Sequence, residues 1–218
     1  MSVSELSNTR RSYDLVADQY ASEIADELST KPLDRALLNG FCELVGGSAV
    51  LDVGCGPGHV GRYLRERGVQ VTGIDLSQAM CTVAAGADSS LPVCVADMAA
   101  LPIRSGAVAG AVCMYAVIHL DAKHRALAYA ELARVLCPGG HALVAFHIRD
   151  AENPAGDSRT MTRWWDEDVD LTFRFLDPAA EAKTLADVGF ELVARLDRAP
   201  HDGHEHASDR SYLLLRRA

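Results

Sequence analysis

Ala49-Val50-Leu51-Asp52-Val53-Gly54-Cys55-Gly56-Pro57-Gly58 decides the fold. Its first five residues are apolar and β-prone apart from one acid, and read as a buried strand (Ala49–Val53). Three alternate glycines follow, and a stretch of helical spacing begins at once, from about His59 to Arg67, stopped by Gly68. A strand running through a tight glycine turn into a helix opens a βαβ unit. Bare backbone there lets a ligand approach closely, and the helix start offers N–H groups that no carbonyl has claimed. A tight strand–helix turn with no ligand is the plain structural alternative.

Outward from this turn, strands and helices alternate. Val69 to Leu76 reads as a second strand, and Ser77 caps a helix running to about Ala85. Pro92 to Ala96 is a third strand. Ala107 to Tyr115 is a fourth, its unbroken apolar run marking a central strand. A helix over Lys123 to Leu136 stops at Cys137-Pro138-Gly139-Gly140, before a fifth strand from His141 to Ile148. Asp177-Pro178 opens a helix to about Val188, and Glu191 to Leu196 and Ser211 to Arg216 look like closing strands. This order predicts an α/β fold with helices on both faces of a parallel sheet. The expected organisation is one domain over 1–218. It comprises an N-terminal helical cap (1–48) and a core (49–218) carrying an insertion (149–176). Cap and insertion are both expected over the C-terminal strand edge, where open α/β sheets bind ligands.

Composition narrows the class. The chain has 218 residues and a net charge of −9, with 21 basic against 30 acidic residues. That balance disfavours a general nucleic-acid binder, which needs a basic face. Six cysteines lie scattered without a C-x-x-C pair, which is neither a zinc framework nor a disulfide scaffold. A reduced, cytoplasmic protein is the expectation. The first residues lack an apolar leader stretch, and the longest uncharged apolar run, Ala107 to Ile118, is well short of the roughly 20 residues a membrane helix needs. No membrane partner is expected, and the oligomeric state is left open. His201-x-x-His204-x-His206, with Asp202 and Glu205, offers metal ligands at a spacing that matches no firm site, so no metal is expected.

Three acids end three consecutive strands: Asp52, Asp75 and Asp97. Gly56-Pro57-Gly58-His59-Val60-Gly61 formally matches G-x-G-x-x-G, so a dinucleotide oxidoreductase has to be weighed. Asp52, however, puts a carboxylate where a pyrophosphate should sit, whereas it favours a sulfonium or an ammonium. Asp75 is placed to accept from ribose hydroxyls, and Asp97 from an exocyclic adenine amine. Each acid alone has a bland reading as a helix cap or solvated turn residue.

On these residues the chain resembles the class I S-adenosylmethionine-dependent methyltransferases of small-molecule type. The resemblance rests on Asp52–Gly58, Asp75 and Asp97. It extends to Tyr115-Ala116-Val117-Ile118-His119 after the fourth strand and to Leu136–Gly140 before the fifth, and covers about residues 10–217. It implies a Rossmann-like, seven-stranded, mostly parallel sheet with an antiparallel last strand, and S-adenosylmethionine as cofactor. It further implies that Asp52, Gly54, Cys55 and Gly56 lie at the methionine moiety and that Asp75 binds ribose. Leu76 would pack on adenine, Asp97 and Met98 would meet its edge, and Met114 would add to the cofactor wall. The segment Ser12 to Tyr20 resembles the N-terminal helix whose tyrosines cover the cofactor in such enzymes. Tyr13 and Tyr20 are then cofactor residues, or ordinary helix packing.

For the acceptor, His119 just past the fourth strand is the first candidate for a general base, with orientation of cofactor or acceptor as its other role. His147, near the end of the fifth strand, is a second candidate for that base and is expected at the acceptor site. Tyr115, Trp164, Trp165 and His204 are expected around a small organic acceptor. Phe173 and Phe175 either join them or bury one face of an added strand, as their period-two spacing suggests. No Asn/Asp-Pro-Pro-Tyr element follows the fourth strand, which argues against base methylation. The expected activity is methyl transfer to oxygen or nitrogen of a small molecule, with carbon as a third option. The alternatives are a nicotinamide-dinucleotide oxidoreductase and a catalytically inactive cofactor-binding member of the same fold.

Overall fold

The structure is a computed structural model and describes residues 3–201, 203 and 205–218. Seven strands form the main sheet: β1 (Ala49–Val53), β2 (Gln70–Asp75), β3 (Val93–Val95), β4 (Val108–Met114), β5 (Leu136–Asp150), β8 (Phe190–Arg198) and β9 (Ser208–Arg217). Their order is β3-β2-β1-β4-β5-β9-β8. β9 runs antiparallel to both neighbours and the other pairings are parallel, as expected for this fold class. The chain reverses its direction of winding at β1, between β2 and β4, which is where such sheets open a crevice.

Apolar residues on the two sheet faces feed two cores. Val53, Ile74, Val117, Tyr129 and Phe146 belong to one; Leu38, Phe41, Leu64, Val71 and Tyr212 belong to the other. The covering helices are α1 (Val3–Ile24), α2 (Pro32–Val45), α3 (His59–Arg65), α4 (Gln78–Ala87), α5 (Ala122–Val135) and α6 (Pro178–Asp187). Their starts follow from side-chain caps. Ser77 accepts from the Met80 amide, Asp121 from His124 and Asp177 from Ala180, each satisfying an N–H with no helical partner.

Two features differ from the sequence expectation. The fifth strand is longer than 141–148, because Leu136 already pairs with Val108; the register then slips before Gly110 meets His141. Gly139, at φ +77°, lets the chain bulge over the Cys137–Gly140 stretch and re-pair. The insertion is a separate two-stranded hairpin, β6 (Ser158–Trp164) and β7 (Glu167–Arg174), rather than a strand added to the main sheet. It packs on α1 through a small core of Val16, Val169 and Leu171. The Ser12 hydroxyl accepts from the Asp170 amide at 2.9 Å, and Arg174 donates to the His119 carbonyl at 2.6 Å. Together α1 and the hairpin roof the C-terminal edge of the sheet.

Candidate cofactor and acceptor site

Under that roof lies a cavity of about 570 Å³. Its floor is the β1–α3 loop and the ends of β2 and β4. Gly54 and Gly56 sit at φ +73° and +52°, a region side-chain-bearing residues seldom enter. A Cβ on Gly54 would overlap the Ala116 Cβ, so only glycine lets this loop lie against the turn after β4.

Asp75 stiffens the loop. Its carboxylate accepts the Gly56 amide and the Ser77 amide, both at 2.8 Å, and lines the cavity. Burial raises its pKa, against the pull of those amides. Asp97 accepts from the Ala99 amide at 2.8 Å and lines the same wall, beside Leu76, Ala96, Met98 and Met114. Asp52 is the most unusual group. It is 1% exposed, and its Oδ2 has no hydrogen-bond partner. Burial drives its pKa up to about 7, against the His59 ring and the Gly61 amide.

Three buried or half-buried carboxylates, one with an orphaned oxygen, suit a cationic ligand rather than a pyrophosphate. An adenosyl amino acid fits this donor set: ammonium for Asp52, ribose for the lone pairs left on Asp75, and a base edge for Asp97. That chemistry disfavours the dinucleotide alternative.

The opposite half of the cavity is aromatic. The His119 Nδ1 lies 3.0 Å from the Thr172 carbonyl, which can only accept, so Nδ1 carries the proton. Its Nε2, 2.8 Å from the Tyr13 hydroxyl, is therefore the acceptor, and Tyr13 donates. Burial pushes the His119 pKa down to about 4 and that of Tyr13 well above its ordinary value. Tyr20 and Trp164 cross edge-to-face with centroids 5.5 Å apart, and Phe173 meets His119 at 4.9 Å. Tyr115, at φ +59°, holds a strained backbone and stacks on His147 at 5.1 Å. Burial also lowers the His147 pKa to about 3, helped by nearby Arg210, and its Nδ1 is engaged by Ser208 at 2.7 Å.

Residues 50–140 match a family model described as a methyltransferase domain. That stretch, which carries the glycine turn, Asp75 and Asp97, is a methyltransferase domain. The cofactor chemistry that such a domain implies, S-adenosylmethionine, agrees with the acid-lined donor set described above. Over 151 residues the chain is 29% identical to the malonyl-[acyl-carrier protein] O-methyltransferase of Serratia marcescens, covering 69% of this chain and 56% of that protein. It is 36% identical over 131 residues to the tRNA (carboxymethyluridine(34)-5-O)-methyltransferase of Mus musculus, covering 58% of this chain and 19% of that protein. The chain spans between 36% and 56% of the length of the malonyl-[acyl-carrier protein] O-methyltransferases it matches. Among solved structures, the 1,6-didemethyltoxoflavin-N1-methyltransferase of Burkholderia thailandensis, with bound 1,6-didemethyltoxoflavin and S-adenosylhomocysteine, superposes with a TM-score of 0.69. Identity is 20%, over 98% of this chain and 87% of that one, and establishes shared fold.

Of the residues the methyltransferase resemblance singled out, Tyr13, Tyr20, Asp52, Gly54, Cys55 and Gly56 line the cavity. So do Asp75, Leu76, Asp97, Met98 and Met114, and on the acceptor side Tyr115, His119, His147 and Trp164. Trp165 does not. It sits at the hairpin tip with φ +51°, which turns its side chain outward to stack on Trp164 with centroids 4.9 Å apart. His204 and Asp202 lie outside the described residues. Among those described, no group of three or more histidine, cysteine, aspartate or glutamate residues is arranged to hold a metal. No described helix is long and apolar enough to cross a membrane.

An ionic wall beside Tyr115 was missed by the sequence reading. Asp34 accepts from Arg198 at 2.8 Å and from the Tyr212 hydroxyl at 2.8 Å. Arg198 also pairs with Glu205, whose carboxylate lies 3.2 Å from Arg210 and 3.6 Å from Lys31. Burial opposes ionisation of Glu205, yet its cationic partners hold its pKa at about 2. A usable signal existed for Asp34. It shares a helical stripe with Leu38, Phe41 and Val45, which puts an acid on a buried face.

Proposed function

We propose that this chain catalyses methyl transfer from S-adenosylmethionine to an oxygen or nitrogen of a small organic molecule. The observation that carries this is the continuity of the cavity, whose acid-lined half opens on an aromatic half roofed by α1 and the hairpin. The two sequence relatives described above are named as O-methyltransferases, so oxygen is the first choice. One domain spanning 1–218 supplies both halves, with 1–48 and 149–176 as the cover. Its six free cysteines suit the cytoplasm.

When bound, the cofactor supplies an electrophilic methyl group on sulfur. This chain's residues do the rest by holding and aligning. Asp52, Asp75 and Asp97 fix the donor, while Tyr13, Tyr20 and Trp164 exclude water over it. Alignment of this kind can supply up to roughly 7–11 kcal/mol of a barrier. His119 acts as a positioning residue. Protonating a ring with a pKa of about 4 costs about 4 kcal/mol at neutral pH, and both its nitrogens are engaged. It aims the Tyr13 hydroxyl and ties β7 to the turn after β4.

Calorimetry with S-adenosylmethionine, S-adenosylhomocysteine and NADH tests the cofactor, followed by incubation of methyl-labelled donor with a deproteinised metabolite extract. The first two ligands should bind, NADH should not, and label should appear in a small molecule. Cofactor binding without label transfer would refute methyl transfer and leave a cofactor-binding protein.

A further inference from the structure

The aromatic half of the cavity contains a cation with no ion-pair partner among the described residues. Arg159 lies on β6, register-paired with Phe173 on β7, and its side chain lines the cavity from the roof. Its Nε is buried without a hydrogen-bond partner, and no carboxylate among the described residues forms an ion pair with it. The other cations lining the cavity are accounted for. Lys31 lies 2.6 Å from Glu27, Arg210 lies 3.2 Å from Glu205, and Arg174 lies 3.3 Å from Glu5. Arg210 nevertheless leaves its own Nε buried and unpaired, a second unclaimed donor on the β9 wall. A guanidinium held half-buried with an orphaned donor is costly unless an acceptor arrives.

Resting on the methyl-transfer reading above, we infer that the acceptor is an organic carboxylate and that Arg159 binds its carboxylate. The planar fork of a guanidinium matches the two oxygens of a carboxylate in one bidentate contact. The surrounding surface suits the remainder of such a molecule, since Met161, Trp164 and Phe173 stand beside Arg159 on the hairpin and line the cavity. The state of the cavity's histidines agrees. An ionised carboxylate oxygen would take the methyl group as the donor's sulfur–methyl bond breaks, giving a methyl ester and S-adenosylhomocysteine with no proton to remove, and both ring nitrogens of His119 are already engaged. An amine or phenol acceptor, by contrast, would leave the Arg159 charge unmatched.

The test measures binding apart from turnover. The protein saturated with S-adenosylhomocysteine is titrated with monocarboxylates from acetate to 4-phenylbutyrate and with their amides, following thermal stability. Acids should stabilise it more than the matching amides. Arg159→Met should abolish that preference and Arg159→Lys should keep part of it, with S-adenosylhomocysteine affinity unchanged in both. Equal effects of acids and amides across the series, or a preference that survives Arg159→Met, overturns the inference. The same acids, together with amines and phenols of similar size, are then offered with labelled S-adenosylmethionine. An acid that binds through Arg159 but gains no label leaves the anion site standing and removes the methyl-transfer reading. Label that enters only amines or phenols removes the anion site and leaves methyl transfer standing.

Discussion

Asp52 makes cofactor affinity depend on pH in a calculable way. In the ligand-free protein its pKa is about 7, because the carboxyl is buried with one oxygen unpartnered. A cofactor ammonium favours the ionised form, so binding at lower pH first has to remove a proton. With a pKa of 7 the ionised fraction is roughly 0.76 at pH 7.5 and roughly 0.09 at pH 6, so affinity should fall about eightfold, or about 1.2 kcal/mol. The window stops at about pH 7.5 because α-amino groups themselves lose a proton near 7.7–8.0. Calorimetry of S-adenosylhomocysteine at both pH values, in two buffers of different ionisation enthalpy, reads the affinity and the proton released. Asp52→Asn should bind more weakly at pH 7.5 and lose the pH dependence. Stability should move the other way. The folded pKa is raised from 3.8, so Asp52 favours the folded state fully below about pH 4, and this is lost as pH rises through 7. Three pKa units correspond to about 4 kcal/mol, an upper figure for the gain in ligand-free Asp52→Asn above pH 7. Equal pH slopes for wild type and Asp52→Asn would refute the reasoning.

Three other perturbations have defined outcomes. Asp75→Asn should weaken S-adenosylhomocysteine binding at least about tenfold, since hydrogen bonds to a charged group are worth about 1.5–3 kcal/mol; calorimetry at constant pH reads this. His119→Ala should lower turnover more than cofactor affinity. Because the His119 pKa is about 4, wild-type kcat should show no inflection from this histidine between about pH 6 and 8 in a pH–rate profile. Asp34→Asn should destabilise the fold by about 3–5 kcal/mol in urea unfolding, because it strips a charge from a buried cluster and leaves Arg198 short of a partner.

The sheet and the cofactor half were legible because their signals are local. Ala49 through Arg65 encodes a strand, a turn and a helix within a few residues. Asp75 and Asp97 each follow an apolar run that fixes which end of the strand they occupy. The acceptor half depends on contacts between distant segments. Tyr13 reaches His119, Ser12 reaches Asp170, and Asp34 reaches Tyr212, and no periodicity announces such meetings. The aromatic content of 149–176 was visible, but pairing as a free hairpin was not, since an apolar alternation looks alike on an added strand and on a roof. Trp164 and Trp165 show the limit most sharply. They are adjacent and chemically identical, and a single left-handed residue at the turn sends one into the cavity and the other outward. Arg159, in a polar stretch, has the sequence context of a solvated surface residue.

The charges along the cavity form a gradient that neither end explains alone. Between the two halves, Lys31, Arg198 and Arg210 are matched by Glu27, Asp34 and Glu205, so this buried cluster contributes little net field. It fixes geometry instead: removing a partner is costly, while the intact set roughly offsets its own desolvation. At the floor, Asp52, Asp75 and Asp97 leave an excess of negative charge; at the roof, Arg159 leaves an excess of positive charge. A cationic donor and an anionic acceptor entering this cavity would therefore be drawn to opposite ends, with the methyl group of one facing the carboxylate of the other. In an enclosed site the attraction between charges is several times its value in water, so four side chains suffice to set the order of the two ligands. An acceptor without charge would gain nothing from the roof, and for that reason the proposed role of Arg159 is to discriminate between acceptors more than to tighten any one of them.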